Sequence, residues 1–167
     1  NRRFLVFLGT EIEYFALAVV ISFYANYATE FCGVSPALAS GLFIAFNYLG
    51  GVLANVLLGW VNFLSLRGKY LATKSLALAG ILFLTFHSVS WVFYLTSLLF
   101  GASRGTRQMM YAPAVKQLSA SSDATLYFAV APVLVLPLST GLPLLNGALL
   151  DRLAPLGALS YRIVFLL

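Results

Sequence analysis

PALASGLFIAFNYLGGVLANVLLGWV, residues 36–61, runs its whole length without a charged side chain. A helix that spans a bilayer needs about 20 mostly apolar residues, and this run exceeds that length. The strands of a membrane barrel would read as alternating segments of about ten residues, whereas this stretch is continuously apolar. Working outward, runs of the same kind cover residues 4–28, 71–87 and 124–150. Another starts near Ser90, and a further one opens near Tyr161 and is truncated. The only polar break between the third and fourth runs is His87-Ser88-Val89-Ser90. Pro132, Pro137 and Pro143 lie inside the fifth, where membrane helices tolerate proline more readily than soluble ones. The expected fold is therefore all-α. It is a polytopic membrane helix bundle with five full transmembrane helices and the start of a sixth, forming one unit over residues 1–167.

Composition points the same way. The 167 residues are 61% hydrophobic and 9% charged, with a mean hydropathy of +0.94. Soluble domains run at roughly 45–50% apolar and about 25% charged. A single soluble core of this size could not hide so much apolar surface, so the lipid bilayer is the expected partner. The net charge of +5 is scattered between apolar runs and makes no basic stripe, which argues against nucleic acid. The lone Cys32 has no disulfide partner in the chain and no metal-ligand spacing, and it reads as a small filler near a helix end. There is no phosphate-binding glycine loop, no HExxH, no Cys/His cluster and no nucleophile constellation. Neither an enzyme nor a cofactor or metal site is expected. No signal peptide is recognisable, because the first run carries Glu11 and Glu13 and leads to no cleavage site. The chain opens at Asn1 and closes inside the apolar run 164–167, and so reads as cut at both ends.

Basic residues set the expected orientation. Arg2, Arg3, Arg67, Lys69, Lys74, Arg104, Arg107 and Lys116 fall on one side if the runs alternate, and Arg152 and Arg162 on the other. The N-terminus is then cytoplasmic, with residues 30–35 and 151–160 facing out. Trp60, Trp91 and His87 sit at expected helix ends, and Tyr24 and Tyr27 are candidates for the same interfacial belt.

Charges inside apolar runs carry the most information, since each costs at least a few kcal/mol at the bilayer centre. Glu11 and Glu13 lie in the first run, two residues apart and so about 200° apart around a helix, which rules out a paired-carboxylate site by spacing. If the helix begins later, both sit at the interface. Arg104 lies about 21 Å into the fourth run, at a depth similar to Glu11, so an ion pair between them is open. Arg107 could instead snorkel to headgroups. Ser97, Gly101, Arg104, Gln108 and Tyr111 share one helical face, which suits a cavity or a neighbouring helix better than lipid. Gly101 and Gly105 form a GxxxG pair. Asn47, Gly51, Asn55 and Gly59 recur every four residues along the second run. Such a stripe reads first as a packing seam with two hydrogen-bonding asparagines, and second as the wall of a solute path.

The order of these segments resembles the C-terminal half of a major facilitator superfamily transporter, helices seven to twelve with the last truncated. Phe23-Tyr24-Ala25-Asn26-Tyr27-Ala28 is similar to the PFY..YA end of a seventh helix, without the proline. Gly41-Leu42-Phe43-Ile44-Ala45, Gly50-Gly51 and Leu58-Gly59-Trp60 resemble an eighth. Residues 59–69, with Arg67-Gly68-Lys69, resemble the cytoplasmic GxxxDRxGRR loop, with Asn62 near the acidic position and extra residues between. Gly101 and Gly105 fit a small-residue tenth helix, although Arg104 and Arg107 are not typical of it. Gly141-Leu142-Pro143-Leu144-Leu145-Asn146-Gly147-Ala148-Leu149-Leu150-Asp151 is similar to an eleventh. The resemblance implies secondary active transport of a small solute by alternating access, in a bacterial inner or plasma membrane, together with an N-terminal half that this sequence lacks.

Glu11, Glu13, Asn47, Asn55, Arg104, Arg107 and Gln108 are the expected substrate or ion-path residues, with proton coupling through Glu11 or Glu13 as one option. Gly59, Arg67, Gly68 and Lys69 are the expected gating loop. The competing expectation is a membrane scaffold, or a transporter-like protein, whose buried charges only hold helices together.

Overall fold

The computed structural model describes residues 1–119 and 124–167, and in them every regular element is a helix. Helix α1 (Arg2–Thr10) starts where the Asn1 side chain accepts hydrogen bonds from the amides of Arg3 and Phe4, satisfying donors that a helix start leaves unpaired. Helix α2 (Ile12–Phe31) continues it, so residues 2–31 form one apolar rod with a break at Glu11. The break has no proline, and its nearest glycine is Gly9, two residues before Glu11. Instead the Glu11 amide bonds back to the Leu8 carbonyl and the Tyr14 amide to the Glu11 carbonyl, a tighter three-residue step. That step releases the Thr10 carbonyl, which accepts from Lys74 Nζ at 2.9 Å.

Gly33, at φ +68°, turns the chain into Ser35, whose hydroxyl caps helix α3 (Pro36–Ala54) ahead of a proline at the first turn. The last six residues of that rod, Asn55–Trp60, wind as a π-helix, with the Val61 amide reaching the Val56 carbonyl. Helix α4 (Leu66–Phe86) is capped by Ser65, which accepts from the Gly68 amide. Helix α5 (Ser90–Ser119) follows after three residues. Helix α6 (Thr125–Leu153) leads through a 3-10 turn and Gly157, at φ +57°, into α7 (Ala158–Leu166).

Four helical rods, at Arg2–Phe31, Pro36–Trp60, Leu66–Phe86 and Thr125–Leu156, are long and apolar enough to cross a membrane, consistent with an integral membrane protein in contact with lipid. The sequence led us to expect five. Helix α5, thirty residues long, is the difference. It carries Arg104, Arg107 and Lys116 and packs chiefly between α3 and α4, so protein rather than lipid surrounds much of it. A helix in that position can be polar.

Helices α3 and α5 run parallel and touch backbone to backbone. A methyl group at Gly101 would sit 1.8 Å from the Asn47 carbonyl oxygen, one at Gly50 2.0 Å from that of Leu98, and one at Gly105 2.9 Å from the Gly51 Cα. The small-residue stripe is thus a packing seam over Asn47 to Gly51, and the GxxxG pair is its other half.

Three expectations are corrected. Tyr24 and Tyr27 are not belt residues: both are buried, Tyr27 to 0% exposure, inside an aromatic cluster with Phe43, Phe93 and Phe165. The connection between the second and third runs covers only residues 61–65, because Ser65 starts α4 early. Arg67, Gly68 and Lys69 are therefore helical and Gly59 lies in the π-helical segment. Asp151 and Arg152 belong to the last turn of α6 rather than to a connecting loop.

Candidate functional site

Glu11 is 1% exposed, and its Oε2 accepts from Arg107 Nε at 2.5 Å. The depth count left Arg104 as the expected partner; three residues further along α5, Arg107 takes the carboxylate. The reason lies in its surroundings. Its guanidinium carbon stands 3.7 Å from the Tyr14 ring centroid and 4.7 Å from that of Tyr111, so two aromatic faces hold the cation. Such contacts contribute about 2 kcal/mol or more when desolvated. Tyr111 follows Arg107 by four residues and Tyr14 follows Glu11 by three, spacings that place each aromatic on the same helix face as its charge. That pattern is visible in the sequence, and it was the missing signal. Among the described residues, Glu11 Oε1 is buried without a hydrogen-bond partner.

Glu13 turns to the other side, as the two-residue spacing requires, and forms an ion pair with Lys74 of α4. Lys74 also bonds the Thr10 carbonyl and lies 5.1 Å from the Tyr70 ring centroid. The two acids therefore tie the break in the first rod to two different helices, Glu11 to α5 and Glu13 to α4.

Between α2, α3 and α5 lies a cavity of about 510 Å³. Asn47, Asn55, Arg104 and Gln108 line it, so four of the expected path residues share one wall system. Asn47 lends its amide to the Ser97 carbonyl at 3.4 Å, serving the seam and the cavity together. Tyr24, Phe43 and Tyr48 also line it, and the Tyr24 hydroxyl is bonded to Ser97 at 2.9 Å. Arg104 is half-buried and, among the described residues, makes neither a hydrogen bond nor an ion pair. It also borders a smaller recess of about 220 Å³ beside Tyr14, Leu17 and Ser22.

Glu11, Glu13 and Arg107 do not line the 510 Å³ cavity. Gly59 instead packs toward Met109, where an added methyl would lie 2.9 Å from the sulfur. Asn62, the residue standing near the acidic position of the resembled loop, has φ +51° and accepts from Lys69 Nζ at 2.7 Å. Arg67 borders a third recess, of about 710 Å³, with Arg3 and Tyr70 at the Asn1 end of the bundle. No three His, Cys, Asp or Glu residues among the described ones cluster as metal ligands.

No family model matches the chain, and no curated protein or solved structure matches it either.

Proposed function

We propose that this chain is part of a secondary active transporter that moves a small solute across the membrane by alternating access. In this reading α5 is a fifth span and α7 the start of a sixth. The bundle corresponds to the C-terminal half of a major facilitator superfamily protein in a bacterial inner membrane, with Asn1 on the cytoplasmic side. A second bundle of similar size would close the cavity and complete the path.

One observation carries the reading: the Arg104 guanidinium, with no hydrogen bond or ion pair among the described residues, borders a cavity that Asn47, Asn55 and Gln108 also line. A side chain as costly as Arg104 is retained in such a place when a solute or an ion uses it. Asn47, Asn55 and Gln108 supply neutral donors and acceptors around it. Glu11, buried and bound through Oε2 to Arg107, is the carboxylate this reading assigns to proton coupling. Glu13, neutralised by Lys74, is a structural clamp. Arg67, Gly68, Lys69 and Gly59 sit where the second and third spans join, and the Lys69–Asn62 bond is the contact a gate would break.

The test is uptake of labelled amino acids, sugars and organic acids by cells expressing the intact protein. A solute that accumulates above the vector control is expected, with accumulation lost in R104A and made insensitive to the proton gradient in E11Q. If both variants matched the parent, these residues would leave the mechanism. If no solute accumulated, the transporter reading would fall.

The ion pairs themselves favour a second reading, a non-transporting scaffold, since Glu11–Arg107 and Glu13–Lys74 each join two helices. A double-mutant cycle on Glu11 and Arg107 with strong coupling in stability, but no change in solute binding or uptake, would favour it.

A further inference from the structure

The 510 Å³ cavity is not uniform along its length. Helices α3 and α5 are parallel, with Asn47 level with Gly101 and Gly51 with Gly105. Helix α2 runs against them, with Tyr24 level with Ser97 and Glu11 with Arg107. At the level of Ser97 the lining is mostly apolar, with Ile21, Ala25, Phe43 and Ile44, and the Tyr24 hydroxyl and Asn47 amide there are both bonded to Ser97. One to two turns along, the walls become Asn55, Arg104 and Gln108, where the only charge is positive. Glu11 and Glu13, on the same rod as Ile21 and Tyr24, are paired with Arg107 and Lys74. Among the described residues no carboxylate lines the cavity.

We infer that the cavity binds a small amphiphilic carboxylate, its acid group on the Arg104 guanidinium and its apolar body against Phe43 and Ile44. The inference rests on the transporter reading for its physiological meaning, but not for its chemistry. A partly desolvated guanidinium gains most from a bidentate oxyanion, which offers two parallel acceptors to its fork of donors. Asn55 and Gln108 can donate to the same oxygens. The apolar end gives nothing to a second charge, so a dicarboxylate or a sugar matches half the site. A cationic solute would meet Arg104 with no counter-charge, and is excluded by repulsion.

Equilibrium binding of radiolabelled 4-phenylbutyrate to the protein in phosphatidylcholine nanodiscs tests this. Binding is expected for the acid, and weaker binding by about tenfold or more for 4-phenylbutyramide. R104Q should lose about tenfold or more in affinity for the acid while leaving the amide unchanged, and R104K should recover part of it. Q108L, at an exposed position, provides a second variant should R104Q not fold, and it should weaken the acid alone. Equal affinity for acid and amide, or an unchanged constant in both R104Q and Q108L, would overturn the proposal. Displacement of the probe by phosphatidylglycerol in the nanodisc would assign the oxyanion to a lipid headgroup and overturn the solute. Failure in any of these ways leaves the uptake experiment standing, because a transporter for a neutral solute would still accumulate it.

Discussion

Arg107 and Glu11 show how strongly a single pair can bind a bundle together when its carboxylate has no water to fall back on. Replacing Arg107 by glutamine leaves a carboxylate at 1% exposure with no cation beside it. Breaking a buried pair in this way costs about 3–5 kcal/mol, whereas neutralising both partners costs far less. R107Q should therefore lower the thermal unfolding temperature in detergent sharply, and E11Q/R107Q should recover much of the loss. A double variant as unstable as R107Q would mean that the aromatic clamp, not the charge, is what matters. Cys32 offers a second residue-scale prediction. Burial pushes its thiol up, opposed by hydrogen bonding to Tyr27 and Ser88 and by the positive charge of Arg162. A raised value means less thiolate at neutral pH, so labelling by a membrane-impermeant maleimide should be slow at pH 7 and keep accelerating above the usual thiol range. If Asn1 is cytoplasmic, as proposed, intact cells should be labelled. Labelling only after lysis would reverse the orientation.

At the scale of elements, what the chain made legible follows from what lipid demands. Long apolar runs announce α2, α3, α4 and α6, because nothing else hides twenty such residues. Ends and irregularities were less visible. The break at Glu11 has no proline to mark it, and Gly9 alone does not place it; it depends on Lys74, 64 positions from Thr10, taking the freed carbonyl. The start of α4 was placed five residues late because Arg67 and Lys69 read as loop, while Ser65 had already capped the helix. The choice of Arg107 over Arg104 turns on one helical turn of α5, finer than a count of rise per residue can resolve once a break intervenes. The seam makes a contrasting pair of predictions. G101A forces α3 off α5 and should cost about 1–3 kcal/mol or more, read as a lower unfolding temperature. G141A, on α6 with nothing within 4 Å of the new methyl, should be neutral or stabilising by up to about 1 kcal/mol, through helix propensity alone. Equal effects would mean that α3 and α5 do not meet at these glycines.

The whole molecule exposes 9321 Å², against about 8,100 Å² for a compact soluble protein of the same mass. The excess is apolar: Trp60 is 87% exposed, and Leu126, Val133, Leu144 and Leu145 stand out along α6. That helix buries only Ala131, so its surface is built to meet lipid or another bundle. The protein is accordingly expected to elute as a single species in detergent and to aggregate on detergent removal, which size-exclusion chromatography with light scattering would read directly. A monodisperse peak in plain buffer would contradict a lipid-facing surface.

The break in the first rod has one more consequence. Helix α1 packs its Phe4, Phe7 and Leu8 with Met110, Ala114 and Val115, while α2 gives Leu17, Val20 and Tyr27 to a separate cluster with Phe93 and Phe165. Between the two oily storeys lies the charged floor of Glu11 and Arg107. Backbone amides on either side of that floor should therefore exchange with deuterium as two blocks, each opening at its own rate, along what the eye would take for one continuous rod.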